Sequence, residues 1–322
     1  MQGLPFWLQL LGWGFEFIFW IWDIVLPMIG EVFTLFLGLV IEAFPFIVLG
    51  VVLSVLIALF VKDEWIERYV PQNRFLSHPL LALLGILLPV CQCGNIPVAR
   101  RLLAKKFPVS QAVTFMLAAP IVNPITFVTT LEAFNVDPMV AYIRIAAGFV
   151  IAVGIGIGIS FMDDQNTLLR REFIAEVCEP AHKHKHKWSE AVSIFQHEFI
   201  GMFRMLFVGA AIAALVQGFV PRSVIAQLGS HALLSIIAMM GLSFVIALCS
   251  NVDAFFVLSY SQTFTLGSLM AFMTFGPSIN IKILSMLRST FTARALIMIS
   301  LAVAVSSLAL GVGINSWYRP FL

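Results

Sequence analysis

Two thiols two residues apart, in the stretch "LLPVCQCGNIPVARR" (residues 87–101), are the side chains of this chain best suited to chemistry. Sulfur ligands select soft or thiophilic species, such as Cu(I), Zn(II) or trivalent arsenicals, over hard cations. Residues two apart on a helix point to different sides, so Cys91 and Cys93 can converge on one ligand only if the backbone unwinds between them. Gly94 and Pro97 permit that unwinding. A third thiol, Cys249, lies in "LCSNVDAFF" (248–256), where Asn251 takes the place of Cys93 and Asp253 the place of Asn95. The expected substrate-binding set is Cys91, Cys93, Asn95, Asn123, Cys249, Asn251, Asp253 and Asn280, with the three cysteines as its metal ligands. An acid inside an apolar run is costly enough to be functional by default, so Asp253 is expected to carry a proton or a counter-charge, with Lys282 as its partner. The alternative for each thiol is a small apolar packing residue.

The elements that must hold these groups are membrane helices. Hydrophobic residues make up 60% of the 322 and charged ones 11%, against about a quarter charged in soluble domains. Several runs approach the ~20 apolar residues that span a bilayer. Apolar segments read at about 6–29, 32–61, 78–103, 108–131, 138–161, 195–219, 231–259, 266–288 and 293–315. The first carries Glu16 and Asp23 among four tryptophans, which suits an interfacial helix as well as a spanning one. The fold class is therefore all-α, a polytopic membrane protein of about eight to nine transmembrane helices, some discontinuous.

The chain also resembles itself. "FPFIVLG" (44–50) falls on "FRMLFVG" (203–209) at an offset of 159, Cys91 on Cys249 at 158, and Pro120 with Asn123 on Pro277 with Asn280 at 157. Such drift is what short indels between duplicated halves leave, and paired broken helices in repeats point to a midplane binding site. The expected organisation is an N-terminal segment 1–31, a first repeat 32–161, a cytoplasmic loop 162–194 and a second repeat 195–322. Four full crossings per half would make the repeats parallel; one re-entrant segment per half would invert them, and the parallel form is favoured. Arg100, Arg101, Lys105, Lys106 and the basic central loop then mark the cytoplasmic face, with Lys62, Arg68, Arg74 and Arg222 opposite and the C-terminus inside. Unwound backbone at membrane depth requires protein or a water-filled cavity beside it, so the breaks predict a cavity. Glu42, Glu132 and Arg144 are expected near helix ends or in pairs across helices.

Other features narrow the function. "HKHKHK" offers His182, His184 and His186 as a metal-capturing tract or as a solvated loop. "GIGIGIS" (154–160) suits close helix packing. A net charge of +2, dispersed along the chain, offers no basic face for nucleic acid. No phosphate loop and no H-E-x-x-H motif occurs, so ATP-driven pumping by this chain is not expected. No cofactor is expected either. The first basic residue is Lys62, so the N-terminus does not read as a cleaved signal peptide.

The run Pro89, Cys91, Cys93, Gly94, Pro97, followed by "AxPxxNP" at Ala118 to Pro124, resembles the YraQ permease family, whose relatives include the organoarsenical efflux permease ArsP and proposed copper and zinc exporters. The likeness covers roughly 35–315. It implies an inner-membrane permease of about eight crossings with Cys91, Cys93 and Cys249 as embedded ligands. One departure is visible: family members read C-S-C-G, and Gln92 stands here in place of the serine. The expected function is a secondary exporter of a small thiophilic solute by alternating access, in the plasma membrane, not an enzyme, with the bilayer and the solute as partners and possible homo-oligomers. Two other readings stand beside it, an intramembrane thiol-disulfide relay enzyme and a non-transporting assembly subunit.

Overall fold

In lipid a backbone must satisfy its own N–H and C=O groups, and a chain this apolar does so as helices. The computed structural model describes residues 6–61, 73–88, 91–135, 137–178, 187–219 and 232–317. Among them the elements are α1 (Phe6–Phe60), α2 (Arg74–Leu87), α3 (Gln92–Ala104), α4 (Val109–Ala118), α5 (Pro124–Ala133), α6 (Met139–Ser160), a 3-10 turn (Gln165–Leu168), α7 (Arg171–Cys178), α8 (Lys187–Phe219), α9 (Ala232–Ile246), α10 (Asp253–Leu258), α11 (Leu266–Ser278), α12 (Ile281–Leu287) and α13 (Ala293–Trp317). A single isolated bridge, Leu169 to Phe291, is the one strand-like pairing among the described residues. The protein is an all-helical integral membrane protein; among the described residues five apolar stretches are long enough to cross, Pro27–Phe60, Met139–Ser160, Ala191–Gly218, Leu266–Leu287 and Ala293–Trp317. α1 runs unbroken through residue 31, with Pro27 and Pro45 inside it.

The breaks fall where the sequence puts helix-interrupting residues. α4 stops at Ala118 and α5 restarts at Pro124, a residue pre-set for the first helical position. α9 ends before Ala247, whose φ of 53° is left-handed, and α10 starts at Asp253. Hydroxyls inside the helices bond back to their own turns, as Thr114 does to the Ser110 carbonyl at 2.9 Å and Thr274 to that of Met270 at 2.9 Å; this leaves fewer polar groups unmet in an apolar medium.

Helix ends reveal the topology. Ser77 and His78 at the start of α2, Pro108 and Ser110 at the start of α4, and Ser160 to Gln165 after α6 line one polar cavity of about 380 Å3. At the same face Arg101, near the end of α3, bonds Ser54 and Glu198, and Arg100 bonds Thr290 at 2.9 Å. Residues 168–170 clasp the α12–α13 turn there, with Arg170 N to Thr290 O and Thr292 N to Leu168 O both at 2.9 Å. At the opposite face Asn315 bonds Gly267 N at 2.9 Å and Thr265 at 3.0 Å. Thus α2 and α3 form a hairpin that enters and leaves by one face, and α9 with α10 forms one that opens to the other.

This corrects three expectations. Residues 78–103 and 231–259 do not cross; each is long enough to do so, and each folds back at its break. The start of α2 lies on the same face as Arg100 and Arg101, not opposite. The end of α13 lies on the far face from the central linker, not on the same side.

The two long helices α1 and α8 pack along a phenylalanine ladder. Phe195, Phe199 and Phe203 stack in i, i+4 steps at 5.7 Å on α8, and Phe44 and Phe36 meet the ladder edge-on from α1, the latter 4.8 Å from Phe207. Edge contacts of this kind add about 0.5–1.5 kcal/mol beyond area burial. α3 approaches α1 so closely that a methyl on Gly50 would lie 2.6 Å from the Gly94 Cα. In a variant lacking the four native cysteines, new cysteines at exposed Arg288 and exposed Gln262 should be modified by an impermeant maleimide from opposite sides of the membrane; modification from the same side would contradict the hairpins.

Candidate functional site

The short helices after the breaks meet in the middle of the protein. α3 touches α12, and α5 touches α10. Their N-termini bring the chemistry together. Cys91 is the N-cap residue of α3 and its side chain caps nothing; the Cys249 carbonyl receives the Asp253 N–H at 3.1 Å, as the Cys91 carbonyl receives that of Asn95 at 3.1 Å. The Cys91 side chain lies near those of both Cys249 and Cys93. All three thiols are free and buried, at 3%, 2% and 5% exposure for Cys91, Cys93 and Cys249. No trio of His, Cys, Asp or Glu side chains among the described residues has the geometry to hold a metal ion.

Gln92, between the two thiols of α3, ties the breaks together. Its Nε2 donates to the Leu248 carbonyl at 3.4 Å, and its Oε1 accepts from Asn280 Nδ2 at 3.1 Å. The site's other amides are divided. Asn123 and Asn280 are caps: their side-chain oxygens accept the N–H of Ile125 and of Ile283, each at 2.9 Å, which satisfies donors that a helix start leaves open. Asn251 Oδ1 accepts from Thr126 Oγ1 at 3.2 Å. Asn95 is fully buried and neither atom of its carboxamide has a partner.

Asp253 is not paired with Lys282. Its Oδ2 receives Arg144 Nη2 at 2.6 Å, and Arg144 also bonds Ser250 O at 3.2 Å and Thr130 Oγ1 at 2.8 Å. Arg144 and Asp253 are 0% and 1% exposed. A bidentate-capable guanidinium suits this buried role better than a flexible ammonium. Lys282, 2% exposed, instead stands within electrostatic reach of Cys93, Glu42, Cys249 and Cys91. Glu42 faces the thiols from α1, with Oε1 buried and unpartnered.

The expected thiols lie near one another, and Arg144 pairs across helices as expected, with Asp253 as its partner; the places of Gln92 and Glu42 beside the thiols were not expected. Each had a signal: Gln92 lies between two candidate ligands, and Glu42 is a charge well inside an apolar run, rare enough to mark function. The expected cavity does not coincide with either prominent cavity of the structure. One is the polar cavity at the basic face; the other, of about 890 Å3, is an apolar groove between α6 and α13 lined by Gly154, Gly158, Leu301 and Val305. The thiols are closed off instead. The histidines of "HKHKHK", His182, His184 and His186, lie outside the described residues.

Comparison with known proteins bears on what such a site serves. The ArsP_1 family, described as "Predicted permease", matches residues 28–316. The chain is 40% identical over 282 residues to the UPF0718 protein YcgR of Bacillus subtilis (strain 168), covering 86% of this chain and 94% of that protein. It is 31% identical over 290 residues, 87% of this chain and 94% of the relative, to a "Putative two-component membrane permease complex subunit" of Streptococcus mutans serotype c (strain ATCC 700610 / UA159). The UPF0718 protein YraQ of Escherichia coli (strain K12) is 26% identical over 269 residues, 82% and 75% of the two chains. No solved structure matches.

Proposed function

For a chain that belongs to the ArsP_1 predicted permeases, we propose secondary transport of a small thiophilic solute, a soft metal ion or metalloid species, outward across the plasma membrane by alternating access. The observation that carries this reading is the meeting of the thiol-bearing breaks, far apart in the chain: Gln92, between Cys91 and Cys93, donates to the carbonyl of Leu248, the neighbour of Cys249, and all three thiols are buried there. Soft sulfur ligands at converging helix interruptions are what a midplane thiophilic site requires.

The halves would be 32–161 and 195–322, joined by a cytoplasmic linker at 162–194. Both halves run as a long helix, a hairpin, an interrupted crossing and a long helix, and the two hairpins open to opposite faces. That order supports inverted repeats, a common plan for alternating access. The low exposure of the thiols corresponds to an occluded arrangement, from which rocking of one half against the other would admit solute from either side. Asp253, held by Arg144, would couple a proton: protonating its carboxyl removes the charge that binds the guanidinium across the seam. By likeness to the Streptococcus relative, the chain would act as one subunit of a two-component permease complex, and self-association is a further possibility for its arrangement in the membrane.

Single Cys91→Ser, Cys93→Ser and Cys249→Ser variants test the reading through cellular retention of arsenite and of copper together with thiol redox state. Loss of export at least tenfold, with no redox change, is the expected result. A mixed disulfide with a partner, lost in the variants, would favour the thiol-disulfide relay instead, and three unaltered phenotypes would favour an assembly subunit.

A further inference from the structure

At the face that carries Arg100 and Arg101, one short segment joins helices from both ends of the chain. Residues 164–173 follow the end of α6, wind through the 3-10 turn and enter α7. Their backbone pairs with the α12–α13 turn: Arg170 N–H donates to Thr290 O and Thr292 N–H to Leu168 O, both at 2.9 Å, around the Leu169–Phe291 bridge. Leu168, Leu169 and Phe291 are buried there, and Arg170 Nη1 donates to Arg288 O at 3.1 Å.

The same segment reaches α3 and α4 with side chains. Gln165 Oε1 accepts the Ser110 N–H at 3.0 Å. Phe173, which is buried, lies against the Arg100 guanidinium, whose carbon is 4.7 Å from the ring centroid. Arg100 also donates to Ser289 Oγ at 3.2 Å and to Thr290 Oγ1 at 2.9 Å. The guanidinium of α3 is thus seated in a socket made by the α12–α13 turn and by Phe173. A cation held over a ring away from water is attracted more strongly than at an exposed site.

We propose that residues 164–173 are a strap that holds this face of the bundle shut, and that opening withdraws Arg100 from its socket while the strap stays pinned to the α12–α13 turn. The inference rests on the alternating-access reading above and names a part that moves. Backbone pairing around buried Leu169 and Phe291 parts only by leaving several N–H and C=O groups to find new partners together. Side-chain contacts such as those of Gln165 and Phe173 release by a change of rotamer. The strap also has slack. A 3-10 residue rises ~2.0 Å and an extended one ~3.4 Å, so unwinding the four residues Gln165–Leu168 lengthens the path from α6 by about 6 Å. Gln165 and Ser110 border the polar cavity, which has room for water to take the Ser110 N–H that Gln165 leaves.

The test uses the full chain in membrane vesicles of both orientations and follows modification of Cys91, Cys93 and Cys249 by an impermeant maleimide, in a Cys178→Ser background. Phe173→Ala should raise the rate at least fivefold for reagent on the Arg288 side and leave it within twofold on the Gln262 side, with thermal unfolding close to wild type. Leu169→Cys with Phe291→Cys, opposite one another in an antiparallel bridge and so within disulfide reach, should leave the rate at the three thiols within twofold once the disulfide has formed, because the strap stays pinned there. A gain on both sides would mean general loosening and overturns the strap, as does a disulfide that suppresses the labelling. If the wild-type thiols are modified from the Arg288 side and folded Phe173→Ala does not alter the rate, alternating access stands and the strap falls. If the thiols are modified from neither side in any variant, both fall.

Discussion

Arg144→Met is expected to destabilise the folded protein by about 3–5 kcal/mol, the range found when one partner of a buried ion pair is removed. Asp253 would be left at 1% exposure with its carboxylate uncompensated, its other oxygen already being without a partner. The pair links residues 109 positions apart, so the loss falls on the seam between α6 and α10 rather than within one helix. Thermal unfolding of the detergent-solubilised protein measures it. The double variant Arg144→Met with Asp253→Leu should regain most of the loss, because two apolar groups of similar size leave no charge stranded. A single variant as stable as wild type would mean that the pair carries no net interaction. If transport uses release of this pair, the stable double variant should still be inactive, which separates a structural role from a coupling one.

Mild oxidation should join Cys91 to Cys249, the second large effect. In forming the bond each thiol gives up one hydrogen, and an added oxidant such as diamide accepts both. The two side chains lie near one another, and a bond between them would fasten the first hairpin to the second. With a protease site introduced at 179–186, the fragments should stay together on a non-reducing gel and separate on reduction. Cys91→Ser and Cys249→Ser should each abolish the link, and Cys93→Ser should keep it. Fragments that separate in every case would show that the thiols do not meet. Because the thiols are 2–5% exposed, the reaction should be slow until the halves part, and its rate reports how often they do.

The linear chain carries two kinds of information about this protein. The apolar runs, the Pro, Gly and Asn residues that interrupt them, and the common offset of Cys91 with Cys249 and Asn123 with Asn280 were enough to place the breaks and to bring the thiols together. These are local or self-referential patterns: a residue that cannot continue a helix stops it wherever it stands. Four matters depended on the folded chain. A segment of 26 residues such as 78–103 can cross a bilayer or turn back within it at nearly the same local cost, and only packing of α3 on α1 and α4 decides for the hairpin. Asn123 and Asn280 read equally as ligands or as caps until the direction of their side chains is known. The thiols' closure from solvent could not be read from spacing. Finally, Asp253 has Lys282 and Arg144 as rival partners along the chain, and electrostatics in a medium of low dielectric rewards whichever charge the fold brings within a few ångströms. Composition and periodicity determine which segments enter the membrane and where they break, because helix formation is local; which buried charges neutralise one another is decided in three dimensions.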